Sequence, residues 1–387
     1  MKHPPLSVQT PSKPRAASST TPPVTPTKDN NTTQDAPVNT DILHYTDDLE
    51  IHHDTKNQPI QFGHGVWSTV YKASSRPASD PSSLLTPPTS PATTTTTSSS
   101  NGRIVAVKSP IRRDAHAVLE AEARILTRLT LSPGSERHVI QFLGYIPLSH
   151  ALVMAAVPVA LSGFIEEQAV VARERRSTQT STMLEPVLGM GKWVDLARKL
   201  IGGLAWVHEH RVVHGDIKPH NILLQPADND TGDTGDDDAF PYDPLFADFS
   251  SAHNHPPTPS SSSTSVQMNA TSLTALTPPF AAPELLIPSA LKSPDIHPTP
   301  ASDVFSLAVT LLAAATGDLL LYPGSSHMQR LAMAREGHRV VEFARCGMNG
   351  MHVPRNGVVE GVVRVAVCRE PGERVGVEEW RGVVDGL

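Results

Sequence analysis

The run His214–Leu224 (HGDIKPHNILL) constrains this chain more than any other stretch. It sets a carboxylate at Asp216, an amine at Lys218 and an amide at Asn221, then turns into apolar residues that read as a strand. The next stretch able to form a strand, Pro244–Ala247, ends in Asp248-Phe-Ser. Adjacent strands would bring Asn221 and Asp248 to neighbouring ends, and two such oxygen ligands suit a hard cation like Mg2+. Asp216 would stand between them, placed to take a proton from a hydroxyl, with Lys218 ready to steady a phosphate. Together these residues point to phosphoryl transfer, where positioning and charge neutralisation supply most of the catalysis.

Upstream segments are consistent with that chemistry. Pro59–Gly63 and Trp67–Ala73 read as strands about a turn at Gly63-His-Gly65, two glycines of a GxGxxGxV pattern with Ser68 in the third place and Val70 at the valine. Taken alone this is a weak sign, because Gly-x-Gly turns are common in hairpins. Ile104–Lys108 (IVAVK), with Ala106 at its centre, is a β-branched strand ending in a lysine. Asp114 is expected to cap the helix that follows, on which Val118, Glu122, Ile125 and Leu129 share one face. A carboxylate on an apolar stripe needs a partner, and Lys108 is the nearest strand candidate.

Val139–Tyr145 and Ala151–Ala155 read as two more strands, and Trp193, Leu196, Ala197, Leu200, Ile201, Leu204 and Val207 mark an amphipathic helix leading to His214. A helix over Asp303–Thr316 is apolar nearly all round, which predicts burial at a domain centre. The tail from 340 is rich in Val and Gly, with a turn over 368–374 and a last helix over 377–384. Whether 340–367 completes the helical lobe or replaces some of its helices stays open at this point.

Composition explains the rest of the length. With 36 prolines and 5% aromatic residues in 387, part of the chain lacks the apolar surface to offset ordering entropy. Residues 1–45 are expected to be a disordered Ser/Thr/Pro-rich tail, and 74–102 a disordered insert between strands. Residues 225–244 read as an acidic insert; its seven aspartates lack the calcium-loop spacing, so it reads as a solvated loop. A Ser/Thr-rich segment follows over 249–284. A net charge of −7 gives no reason to expect a nucleic-acid partner. Two isolated cysteines, Cys346 and Cys368, suit a reducing compartment. The first residues lack the apolar core of a secretory signal, and no uncharged apolar run reaches the ~18 residues of a membrane span. A cytoplasmic and/or nuclear protein is expected.

Taken in order, the motifs resemble those of the eukaryotic protein kinases, over roughly residues 58–387 with the inserts excepted. Gly63 and Gly65 match the glycine-rich loop, Lys108 the strand lysine and Glu122 its helix partner. His214-Gly-Asp216 stands for His-Arg-Asp, Asn221 for the catalytic-loop Asn, and Asp248-Phe-Ser250 for Asp-Phe-Gly. Ala282-Pro-Glu284, Asp303 and Arg374 match the Ala-Pro-Glu motif, the buried aspartate of the central helix and the late arginine that pairs with the Glu. Lys218 and Thr277 resemble the serine/threonine-specific branch.

The resemblance implies an α+β, bilobal fold. A small N-lobe over 46–157 would carry an antiparallel sheet and one helix, and a larger, mainly helical C-lobe would span 158–387. ATP and Mg2+ are the implied cofactors. Gly63, Gly65, Val70, Ala106, Lys108, Glu122, Met154 and Ala156 would surround the nucleotide, Asn221 and Asp248 would hold the metal, and Asp216, Lys218 and Asn221 would form the catalytic loop. The implied partners are protein substrates, with regulatory partners at the inserts.

Three positions depart from the family pattern: Ser68 and Ser250 replace glycines, and Gly215 replaces the arginine that in many kinases holds an activation-segment phosphate. Gly215 therefore implies activity without phosphorylation through that contact. Two rival readings share these residues. Small-molecule phosphotransferases of the aminoglycoside and choline kinase type also carry His-Gly-Asp. A pseudokinase scaffold would accommodate the altered glycines and long inserts.

Overall fold

The computed structural model describes residues 41–77, 102–175, 184–227, 238–255, 277–289 and 296–387. Its N-terminal half is built on one six-stranded sheet: β1 (Asp48–Ile51), β2 (Gln61–His64), β3 (Ser68–Arg76), β4 (Arg103–Pro110), β5 (Phe142–Ile146) and β6 (Ala151–Ala155). The strand order is β1-β3-β4-β6-β5, every pair antiparallel. β1 and β2 lie end to end along one edge of β3, β1 opposite Ala73–Arg76 and β2 opposite Thr69–Tyr71.

Alternation along β4 sets the rest. Val105 and Val107 pack with Ala73, Ala151 and Val153 in a small cluster on one face, so Ala106 and Lys108 point to the other. There α1 (Ala115–Thr130) lies across the sheet, burying Val118, Leu119, Glu122, Ile125, Leu126 and Leu129. Asp114 does not cap this helix as the sequence suggested. It is in the αR conformation and its carboxylate pairs with Arg112 at 2.7 Å.

The second half is mainly helical: α2 (Leu161–Arg175), α3 (Met190–Glu209), α4 (Pro300–Thr316), α5 (His327–Arg335), α6 (Val340–Cys346), α7 (Val358–Arg364) and α8 (Val377–Asp385). α4 is buried along nearly its whole length, as its all-round apolar sequence requires. A reciprocal capping box starts it, with Thr299 and Ser302 each bonding the other's backbone N–H, and Gly317 ends it at φ 69°. α6 and α7 bury Val340, Val341, Val359, Val362 and Val363, so the Val/Gly-rich stretch builds helices of this lobe. Two short antiparallel pairs bring the chemistry together: β7 (Val212–Val213) pairs with β10 (His253–Asn254), and β8 (Ile222–Pro226) with β9 (Tyr242–Phe246). The chain is thus α+β and bilobal.

Several expected boundaries shift. β3 runs on to Arg76, β8 to Pro226, and β9 begins at Tyr242 with Phe240 buried ahead of it. The expected inserts at 74–102 and 225–244 therefore lose their ends to ladder pairing, and the remaining 78–101 and 228–237 lie outside the described residues. Residues 41–45, placed in the tail by composition, run beside β5, with Tyr45 N–H donating to Tyr145 O at 3.0 Å. The earlier part of the tail and 256–276 also lie outside the described residues.

Candidate active site

The lysine that β4 turns inward meets two carboxylates. Lys108 Nζ donates to both Glu122 oxygens and to Asp248 Oδ1, each at 2.7 Å. Lys108 and Glu122 are 4% and 1% exposed, so neither charge would be tolerated alone. Burial works against the Lys108 charge, but the Asp248 and Glu122 carboxylates outweigh it and hold its pKa above the ordinary value. Burial also disfavours the Asp248 carboxylate, which Lys108 nevertheless holds well below the usual range. Phe249 N–H donates to Glu122 Oε1 at 3.1 Å, so β4, α1 and the Asp248 turn share one carboxylate.

The hairpin of β8 and β9 explains how Asn221 and Asp248 meet. Asn221 precedes β8 and Asp248 follows β9, and Ala247 N–H donates to Asn221 O at 2.9 Å where the antiparallel ends coincide. Asp248 takes the left-handed conformation, φ 60°, which Asp tolerates better than most residues. Ser250 lies instead in a 3₁₀ turn with no positive φ. The backbone freedom that a glycine would give is therefore not required at Ser250.

Asp216 sits behind this pair. Lys218 Nζ donates to Asp216 Oδ2 at 2.6 Å and to Thr277 Oγ1 at 2.9 Å. Asn221 Nδ2 donates to Asp216 O at 2.9 Å and Oδ2 at 3.1 Å. Burial pushes the Asp216 carboxyl up to about 7, against the pull of Lys218. The loop carrying it is fixed from α4: Asp303 accepts from His214 N–H at 2.8 Å and Gly215 N–H at 2.9 Å, and its Oδ2 lies 3.1 Å from His208 Nε2. His214 is buried, and burial keeps its pKa low. A neutral ring explains its bonds, with Nε2–H donating to Ala247 O and Nδ1 accepting from Asp216 N–H.

Gly215 is the tightest point of the loop. Its φ is 80°, and a Cβ would lie 2.7 Å from Ser251 O, so the backbones approach too closely for a side chain in this conformation.

A cleft of about 550 Å³ opens between the halves and is lined by Gly63, Gly65, Val70, Ala106, Lys108, Glu122, Met154, Lys218, Asn221 and Asp248. Two expected residues differ. Ala156 does not line it, whereas Ala155 and Val157 do; Asp216 also lies off its wall, joined to it through Lys218 and Asn221. Phe62, Ile140, Leu223 and His220 line it as well and were not singled out in the sequence. For Leu223 the signal was there, because it lies in the apolar run directly after Asn221, at the start of β8.

Among the described residues no group of three His, Cys, Asp or Glu side chains could hold a metal. Asp248 with the Asn221 amide oxygen suits instead an ion that takes few protein ligands and the rest from phosphate and water, as Mg2+ does. The apolar walls at Val70, Ala106, Met154 and Leu223 suit a flat ring, and Lys108 beside them an anionic group. The residues present fit ATP with Mg2+. Away from the cleft, Arg374 holds Glu284 through two bonds of 2.8 and 2.7 Å. Among the described residues no helix is long and apolar enough to cross a membrane.

The protein kinase domain family model matches residues 91–379. A serine/threonine-protein kinase ISR1 from Saccharomyces cerevisiae is 27% identical over 255 residues, covering 65% of this chain and 49% of the relative. Its namesake from Eremothecium gossypii is 32% identical over 127 residues, covering 32% of this chain and 36% of the relative. A probable LRR receptor-like serine/threonine-protein kinase from Arabidopsis thaliana is 31% identical over 177 residues, covering 41% of this chain and 21% of that protein. The chain thus spans at most about half the length of these relatives. With three quarters of its residues inside the family match, the chain belongs to the protein kinase domain family.

Proposed function

We propose that this chain is an ATP- and Mg2+-dependent protein kinase that phosphorylates serine and threonine hydroxyls of protein substrates. The observation that carries the reading is two lysines held by carboxylates at one cleft, Lys108 by Glu122 and Asp248, and Lys218 by Asp216, with Thr277 as a second acceptor. When bound, ATP supplies the γ-phosphoryl group and Mg2+ draws charge from its phosphates.

The chain's residues would do the rest by position and charge. Lys108, fixed by Glu122, holds a phosphate oxygen, and Asp248 and Asn221 offer the metal two oxygens. Gly63 and Gly65 would let the turn between β2 and β3 approach the phosphates without side chains in the way. Asp216 aligns the acceptor hydroxyl and takes its proton, for which a carboxyl titrating near neutrality is well matched. Lys218 neutralises charge that builds beside it, while its bond to Thr277 braces the segment along which a peptide would lie. Serine/threonine specificity draws further support from the names of the relatives.

Regulatory partners would dock at the inserts, and the two free thiols, Cys346 and Cys368, suit a cytoplasmic or nuclear setting. The test is transfer of labelled γ-phosphate from Mg-ATP to a generic Ser/Thr protein, run beside a panel of aminoglycosides and choline. Labelled phosphoserine or phosphothreonine supports the reading. Label on the small molecules alone overturns it in favour of a small-molecule phosphotransferase, and no transfer with ATP still bound overturns it in favour of a binding scaffold.

A further inference from the structure

β5 is the outermost strand at its end of the sheet, yet its edge is not left open. Residues 41–45 run along it as a strap: Tyr145 N–H donates to Leu43 O at 2.8 Å, and Tyr45 N–H to Tyr145 O at 3.0 Å. Between these bonds His44 forms a parallel bridge with Tyr145. Gly144 leaves room for the crossing, because a Cβ there would lie 2.6 Å from Tyr45 N and 2.8 Å from His44 C. The strap's side chains reach two separate clusters. Tyr45 packs on the small one with Ala73, Val105 and Val153, and Ile42 on the large core that includes Leu119, Ala123 and Leu126 of α1. Leu43 bonds α1 itself: its N–H donates to Thr127 Oγ1 at 3.1 Å, and that hydroxyl donates to Ala123 O at 2.8 Å.

This attachment bears on the cleft. Ala123 adjoins Glu122, whose carboxylate accepts from Lys108 and from Phe249 N–H. No side chain caps α1 at its start, so its seat against the sheet depends on contacts farther along. Arg128 supplies one, donating to Asn254 at 2.7 Å from an exposed position. Thr127 supplies another and is 1% exposed, so the strap's N–H meets it out of water. We infer that residues 42–45 position the nucleotide site: by tying the C-terminal half of α1 to the edge of β5, they keep Glu122 on Lys108. Releasing the strap loosens the hold of Lys108 on an ATP phosphate. The strap can leave without opening the core, since a few backbone bonds hold it and Leu43 and His44 are exposed. This inference rests on the ATP-binding role proposed above for the cleft.

The test uses the full chain. Leu43→Pro deletes the N–H that reaches Thr127 while keeping the preceding residue extended, and Leu43→Ala trims only an exposed side chain. Leu43→Pro should weaken Mg-ATP binding in a calorimeter by about 3–10-fold, the worth of one buried hydrogen bond. It should also speed hydrogen exchange of the α1 amides. Thr127→Val, which removes the acceptor instead, should act alike, and Leu43→Ala should match wild type. In a Glu122→Gln background Leu43→Pro should weaken binding no further, because the pair the strap serves is already lost. Wild-type affinity and exchange in Leu43→Pro overturn the inference. So does a loss of equal size with and without Glu122, which marks a general destabilisation. None of these readouts needs phosphoryl transfer: a wild type that binds Mg-ATP but labels no acceptor fails the kinase reading alone, and the affinities still decide the role of the strap.

Discussion

Removing Arg374 should weaken the C-terminal lobe by an amount that the structure allows to be worked out. Its side chain is fully buried and forms a two-pronged pair with Glu284, whose side chain is 27% exposed. It also donates to Ala301 O at 3.0 Å and Cys368 O at 3.1 Å, and lies over the Phe305 ring. Breaking a buried pair costs about 3–5 kcal/mol. Water can reach Glu284, which takes that figure to its lower end, about 3 kcal/mol. Two carbonyls left without a donor add about 1 kcal/mol.

Arg374→Ala should therefore cost about 4 kcal/mol, which at about 2 °C per kcal/mol for a large domain lowers the melting temperature by about 8 °C. Glu284→Ala should cost at least as much, because it leaves a fully buried guanidinium without its counter-charge. Replacing both by apolar residues, Glu284→Leu with Arg374→Met, should recover most of the loss. Calorimetry on the four proteins measures the three losses against wild type. An Arg374→Ala variant melting within about 1 °C of wild type, or a double variant as weak as the sum of the singles, would refute the reasoning.

Other predictions concern the catalytic loop. The proposed base role of Asp216 requires its deprotonated form, and its carboxyl is raised to about 7. So kcat/KM should climb about tenfold per pH unit below that value and level off above it; a flat profile from about pH 5.5 to 8 would contradict the assignment. Gly215→Ala forces a Cβ against Ser251 O at a positive φ, so it should cost about 1–3 kcal/mol in a urea melt. Because Gly215 offers no side chain to hold a phosphate, enzyme treated with phosphatase should keep its rate. Activity that disappears on treatment and returns on rephosphorylation would show that the loop is controlled by a phosphate after all.

How much of this was legible in the sequence depends on where each element gets its stability. The Lys108–Glu122 pair could be read because a carboxylate on an apolar stripe demands a partner, and the hairpin of β8 and β9 because two apolar runs frame it. α4 announced itself by apolar residues on every side. β1 (DLEI) did not, because an edge strand is held by the register of β3 rather than by its own half-exposed residues. α2 carries little helical periodicity and α5 only one buried side chain, so their helices were not foreseen. The role of His208 was invisible because Asp303, its partner, lies 95 residues away. Asp248, not Ser250, takes the unusual backbone angle, in the turn where its carboxylate meets Lys108, a contact 140 residues away in sequence.

The most direct test of the account is single-site: phosphoryl transfer by wild type and Asp216→Asn, with ATP affinity measured on the same samples. The account predicts a rate lower by about 10²–10⁴-fold in the variant, with nucleotide binding unchanged. A variant that transfers phosphate at the wild-type rate would remove Asp216 from the chemistry and contradict the account at its centre.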